Sequence, residues 1–293
     1  MTMLSRPLVA ALLTATTLAG CADSSASRTA SPEGPSSTST SPPPASPSRL
    51  GEATGTLESA TKAPASEKPL SGRVIGIDPG HNGRNRYATS EIRKQIWNGR
   101  SYQDCNTTGT ATNDGYPESR FTFKVATYLA ELVHDAGGSA VLTRPSDDGV
   151  GPCVDVRART LNEAAADVAI DIHADGGPST GRGFTILRPV PSGVNDGVVT
   201  ASLNYADFLK SAMLKTGMPV SDYYGANGFK DRDDLAGLNL TTVPQLLLET
   251  GNMRNQEDAD LLTSDRFQRD VAQAILEAMV AFLADTPSTS GHP

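Results

Sequence analysis

The chain has 293 residues, 33 acidic against 25 basic side chains, and a formal net charge of −8. No Lys/Arg cluster offers a counterion-releasing face, which excludes nucleic acid as a partner class. The start of the chain reads as non-globular and leaves about 215 residues, enough for one sizeable α/β core.

Residues 1–21 carry one positive charge at Arg6, an apolar run from Pro7 to Leu18 and small residues before a cysteine. This is the pattern of a secretory signal peptide, too short for a membrane span. Its end, Leu18-Ala19-Gly20-Cys21, resembles the bacterial lipobox. That likeness implies cleavage before Cys21 and acylation of its thiol. The protein is then exported and lipid-anchored, at the outer face of the cytoplasmic membrane or on the periplasmic side. An ordinary signal peptide that ends near a cysteine is the other reading.

Residues 22–70 are Ser, Pro, Thr and Ala with scattered charges and no apolar periodicity. Such a stretch cannot offset its ordering entropy and reads as a disordered tether, with an end-to-end reach of about 40 Å. Of the three cysteines, assigning Cys21 to lipid leaves Cys105 and Cys153. An oxidising compartment makes that pair a disulfide, with two independent buried thiols as the alternative.

The folded domain is expected over residues 71–285. Arg73 to Asp78 is a short apolar run ending in Asp-Pro-Gly, a buried strand entering a loop. Asn82 to Pro117 is a long polar stretch that a disulfide from Cys105 would pin. Phe121, Val125, Leu129, Leu132 and Val133 fall at helical spacing, and Gly137-Gly138 ends that helix. A second strand is read at Ala140–Thr143, a helix at about Val154–Ala166, and a third strand at Val168–Ile172 running into His173. A strand at Gly183–Leu187, a helix near Ser202–Lys215, a strand at Gln245–Glu249 and a last helix at about Ser264–Ala284 complete the order. Residues 286–293 read as a disordered tail. Strands alternating with helices, and strands that are nearly all apolar, predict one α/β domain. Its sheet is mostly parallel and twisted, with helices on both faces. Sites in such sheets form at the carboxyl ends of the strands.

Four histidines are present. His134 falls on the polar side of its helix and His292 in the tail. His81 follows the first strand and His173 ends the third, so both sit where such a sheet places ligands. Glu118 stands at the start of the Phe121 helix, on the same edge as His81. There it either complements the helix dipole or binds metal. Glu91 is its rival within the long loop. Glu249 ends the Leu246-Leu247-Leu248 strand, where a buried charge needs a partner such as Arg254 or a task. Two imidazoles and a carboxylate with an open position form a ligand set of zinc hydrolases, and a second, unligated carboxylate moves the proton.

Val74 to about Phe282 resembles the zinc-dependent N-acetylmuramoyl-L-alanine amidases of the amidase family 3 type. The likeness rests on motifs in the family's order: Asp78-Pro79-Gly80-His81, Glu118 before a helix, Thr143-Arg144, and a helix with Arg157, Arg159, Asn162 and Ala166-Asp167. Then come Ile172-His173-Ala174, Val243-Pro244, Glu249-Thr250-Gly251 and Asn255. The resemblance implies that His81, Glu118 and His173 bind Zn2+ and that Glu249 is catalytic. It also implies that peptidoglycan or muropeptides are the substrate, cut between N-acetylmuramic acid and L-alanine. Asp171 and Asp175 depart from the family's common Ser and Asn, and the segment 82–117 is long. A zinc peptidase acting on stem peptides and a non-catalytic wall-binding lipoprotein are the competing functions. A serine hydrolase lacks its G-x-S-x-G elbow. Nothing in the sequence demands more than a monomer.

Overall fold

The computed structural model describes residues 68–286; the leader, Cys21, most of the expected tether and the C-terminal tail lie outside them. The chain opens with β1 (Val74–Pro79), a 3-10 turn at Asn85–Tyr87, α1 (Thr89–Ile92), β2 (Gln95–Trp97) and β3 (Tyr102–Asp104). It continues through α2 (Glu118–Asp135), β4 (Ser139–Leu142), α3 (Val154–Glu163), β5 (Val168–Asp175), β6 (Thr185–Pro189) and α4 (Val199–Leu214). β7 (Phe229–Arg232), α5 (Ala236–Asn239), β8 (Gln245–Asn252), α6 (Gln256–Leu262) and α7 (Asp265–Asp285) follow.

The main sheet has the order β4-β1-β5-β8-β6-β7. β4, β1, β5 and β8 are mutually parallel, β6 runs against β8, and β7 runs with β6. From β1 the chain crosses through α2 to β4, then returns through α3 to β5 on the other side of β1. The β1/β5 junction is therefore a topological switch point, where strand ends open a crevice.

Period-two alternation divides the strand residues between two layers. Val168, Ile170 and Ile172 of β5 and Leu246 and Leu248 of β8 join one core with Phe121, Val125 and Leu129 of α2 and Phe267, Val271 and Ile275 of α7. Each such side chain, fully buried, contributes about 1.5–3 kcal/mol. On the opposite face Ala169 packs with Leu161 and Val243, and Leu247 with Leu187 and Leu238. That thinner layer, under α3 and α5, also receives the remaining odd positions of β5 and β8, which include Asp171, His173 and Glu249.

α2 ends as its sequence predicts. Gly137 adopts φ +90°, its N–H bonds to His134 O at 3.0 Å, and Gly138 N bonds to Val133 O at 2.9 Å. This is the two-bond glycine cap that satisfies terminal carbonyls.

The structure differs from the sequence reading in several elements, and β5 runs on through His173 to Asp175. The tether stops short of residue 70, because Leu70 is fully buried and its N–H donates to Ala136 O. The segment 82–117 carries the 3-10 turn, α1 and the β2–β3 hairpin, elements too short for periodicity to reveal. β7 escaped the sequence because Phe-Lys-Asp-Arg is a polar, four-residue edge strand. β8 continues past Glu249 to Asn252, so Glu249 lies within the strand rather than at its end. The expected disulfide joins Cys105 to Cys153 and ties the hairpin's exit to the start of α3.

Candidate metal centre

β1 and β5 pair in register, with Asp78 beside Asp171 and Pro79 beside Ile172. The Gly80-His81 turn leaving β1 is thereby delivered to His173. The approach is tight: a Cβ on Gly80 would lie 2.4 Å from the His173 ring. His81 has φ +60°, the left-handed region that few side chains adopt. Arg157, only 1% exposed, holds that conformation. It donates to Asp78 Oδ1 at 2.5 Å, Pro79 O at 2.7 Å, His81 O at 2.6 Å and Asn82 Oδ1 at 3.0 Å.

Glu118 is the first residue of α2 and is 4% exposed. Its Oε2 lies 3.0 Å from His81 Nε2 and its Oε1 2.9 Å from His173 Nδ1. It also accepts from Thr110 N at 2.9 Å and Ala174 N at 3.1 Å. The ligand atoms of His81, Glu118 and His173 all lie within 4.8 Å of one another. Behind them, Thr107 Oγ1 is 3.2 Å from His81 Nδ1 and Asp171 Oδ1 is 3.1 Å from His173 Nε2. Outer partners of this kind fix ring orientation in metal sites.

The charges of the cluster are tightly coupled. Burial disfavours the Glu118 carboxylate, but the charge of His81 and the hydrogen bonds from both imidazoles outweigh it and hold its pKa well below the usual range. Burial likewise opposes protonation of His173. Asp171 and Glu118 on its two sides prevail and hold its pKa well above the ordinary histidine value. A Glu118 held ionised between two imidazoles is in the form that binds a cation, for which the His173 proton would have to leave.

Glu249 lies directly across from His173 in the parallel β5–β8 register. Its Oε2 is buried without a hydrogen-bond partner. Burial pushes its pKa up to about 8; the positive charge of His173 works against the shift, and Glu118, Asp175 and Asp171 reinforce it. Arg254, the alternative partner, instead donates to Ala111 O. A carboxyl with one buried, unpartnered oxygen and a raised pKa beside a ligand cluster is a feature of acid–base sites.

The structure therefore brings His81, Glu118, His173 and Glu249 to one crevice. Glu91 is excluded as a ligand, being exposed and ion-paired with Lys94. His134 is exposed on α2. Asp171 does sit behind His173, whereas the Asp175 carboxylate accepts from the Tyr223 hydroxyl at 2.7 Å. Asn106, Thr107, Gly109 and Thr110, which reach the site from the long segment, carry no motif or periodicity that would single them out. Gly109 is notable: at φ +70°, a Cβ there would lie 2.8 Å from the His81 ring and 3.0 Å from Glu118 Oε2.

A mostly parallel α/β domain with a His–Glu–His cluster that could hold a metal ion at its switch point, beside a glutamate with an unpartnered oxygen, is the arrangement of a hydrolase site. Residues 75–281 match the N-acetylmuramoyl-L-alanine amidase family, and the chain belongs to that family of peptidoglycan amidases. An N-acetylmuramoyl-L-alanine amidase of Mycobacterium tuberculosis is 37% identical over 233 residues, 79% of this chain and 94% of that protein. The amidase Ami1 of Mycobacterium smegmatis superposes with a TM-score of 0.70 at 36% identity, over 74% of this chain and 99% of the other. Ami1 of Mycobacterium abscessus in its apo form gives 0.69 at 37%, over 73% and 100%.

Proposed function

We propose that this protein hydrolyses the amide between the lactyl group of N-acetylmuramic acid and the L-alanine of the stem peptide, with zinc held by His81, Glu118 and His173. The observation that carries the reading is the orphaned Glu249 Oε2 across the sheet register from His173. The donor set fits the metal: two ring nitrogens and one carboxylate oxygen, buried and converging, with their outer nitrogens backed by Thr107 and Asp171.

Zinc, when bound, supplies a positive charge that acidifies a water and polarises the scissile carbonyl. His81, Glu118 and His173 would hold the ion beside Glu249, the neighbour of His173 across the β5–β8 register. Glu249 takes the proton from the attacking water at Oε2 and returns it to the departing alanine nitrogen. A carboxyl whose pKa is lifted toward neutrality is suited to both steps.

Cys21 is proposed as the acylated anchor of an exported enzyme, and the stretch up to Glu67 as its reach toward the wall. Glu249→Gln tests the assignment. It should retain one zinc per chain by elemental analysis and lose about 10²–10⁴-fold in turnover of muramoyl-dipeptide by mass spectrometry. Near-normal hydrolysis by that variant removes Glu249 from the mechanism, and a cut within the stem peptide replaces the amidase reading with a peptidase.

A further inference from the structure

A pocket of 150 Å³ opens beside the two histidines, on the thinner face of the sheet. Gly80, His81 and His173 line it together with the exit of β3, the start of α3 and the α5 segment. That volume would hold about five waters at about 30 Å³ each. One wall is apolar, from Val154, Leu235, Leu238 and Leu247. The polar lining is Asn106, Asp171, Thr107 and three groups already engaged: Arg157 with Asp78, Gln103 with Asn98 and Asp104 with Gln95.

Asn106 is 6% exposed, and its Nδ2 has no hydrogen-bond partner. Its amide orientation is fixed, because Oδ1 accepts from Thr107 N at 2.8 Å. The free group is therefore a donor, and a buried donor without a partner costs about 1–3 kcal/mol. Asp171 turns Oδ1 toward His173, and Oδ2 lies 3.7 Å from where a Cβ on Gly237 would sit, on the pocket's α5 wall. Asn106 and Asp171 thus offer an unpaired N–H donor and a carboxylate acceptor beside an apolar surface, in a pocket that His81 and His173 also line.

We infer that this pocket receives the acetamido group of the amino sugar. Its carbonyl accepts from Asn106 Nδ2, its N–H donates to Asp171 Oδ2, and its methyl lies on the leucine wall. Sugar chemistry supplies the geometry: the acetamido carbon and the lactyl ether occupy adjacent ring positions, so a group held beside His173 leaves the scissile carbonyl at the ligand cluster. The inference rests on the amidase reading above and adds the pocket that selects the N-acyl group. The same wall chemistry would also suit a peptide amide with a methyl side chain, which is the first alanine of the stem.

Gly237 provides a clean perturbation. A Cβ there meets only Gln245 Nε2 at 3.6 Å and Asp171 Oδ2 at 3.7 Å, ordinary contacts, and its φ is not positive. Gly237→Ala therefore narrows the pocket without strain. Asn106→Asp keeps the acceptor for Thr107 N and deletes the donor.

The experiment compares kcat/KM of the full chain and both variants on three compounds: muramoyl-dipeptide, its 2-hydroxy analogue lacking the acetamido group, and its glycine-for-alanine analogue. Zinc affinity is measured for each variant by calorimetry. The wild type should prefer the acetamido substrate over the 2-hydroxy analogue by about 10–200-fold. Both variants should lose about tenfold or more of that preference while zinc binding stays within a few-fold. Equal hydrolysis of the first two compounds by the wild type overturns the pocket and leaves the amidase reading standing. A preference that follows the alanine methyl instead assigns the pocket to the stem and overturns the inference. If none is cut, the amidase reading fails. Amide shifts at Gly237 and Leu238 on titration of N-acetylmuramic acid, against muramic acid's 2-hydroxy analogue, then decide the pocket by itself.

Discussion

Replacing Arg157 by methionine keeps much of its volume and removes every donor it offers. In the structure those donors satisfy Asp78 Oδ1, Asn82 Oδ1 and the backbone oxygens of Pro79, His81 and Pro152. Asp78 is 4% exposed, so the variant strands a buried carboxylate that keeps only the Thr143 hydroxyl as a partner. Breaking one side of a buried pair costs about 3–5 kcal/mol. In a domain of this size each kcal/mol moves Tm by about 2–4 °C, so the fall should be about 6–20 °C. Zinc affinity should fall at least tenfold, because His81 loses the bond that pins its left-handed backbone. The assay is thermal and urea unfolding with calorimetric zinc titration on Arg157→Met, Asp78→Asn and the double variant. The double variant should recover about 1–3 kcal/mol of the summed losses. Arg157→Lys should not rescue, since one ammonium cannot span carboxylate and carbonyls in a plane. A single-variant loss under about 1 kcal/mol, or strict additivity in the double, would refute the clamp.

Zinc affinity should rise with pH. His173 in the metal-free protein has a raised pKa, so the metal must displace its proton. Below that pKa the affinity should fall about tenfold per pH unit, and titrations in buffers of different ionisation enthalpy should report about one proton released. Chelation should lower Tm, since an ion at 1,000 times its Kd adds about 4.1 kcal/mol. Gly109→Ala should fold yet bind zinc at least tenfold more weakly, because its Cβ meets the His81 ring and Glu118 at a backbone φ of +70°; unchanged affinity counts against this packing. Cys105→Ser should destabilise by up to about 4 kcal/mol, as expected for a cross-link spanning 48 residues, with urea denaturation as the check.

The alternation of apolar runs was enough to read β1, β5 and β8 and the helices α2, α4 and α7, because these elements bury a regular face. The same reading placed His81 and His173 at strand ends and Glu118 at a helix start, since strand polarity and helix order follow from local pattern. β7 and the β2–β3 hairpin were not legible: at three or four residues with mixed exposure, they have no period to detect. Arg157 and Asp78 could be named from a motif, yet that one clamps the other is a contact across 79 positions.

What the sequence determined by itself is thus the class of fold and the four residues, His81, Glu118, His173 and Glu249, that the structure brings together. Tertiary structure alone decided that Glu249 stands opposite His173, since strand register depends on which strands pair. It also decided which face of the sheet carries the site, because a one-residue shift in register would exchange the two faces. The outer partners of the site, Asn106, Thr107 and Gly109, were settled by chain closure through Cys105 and Cys153 and by the hairpin's docking, which no local propensity encodes.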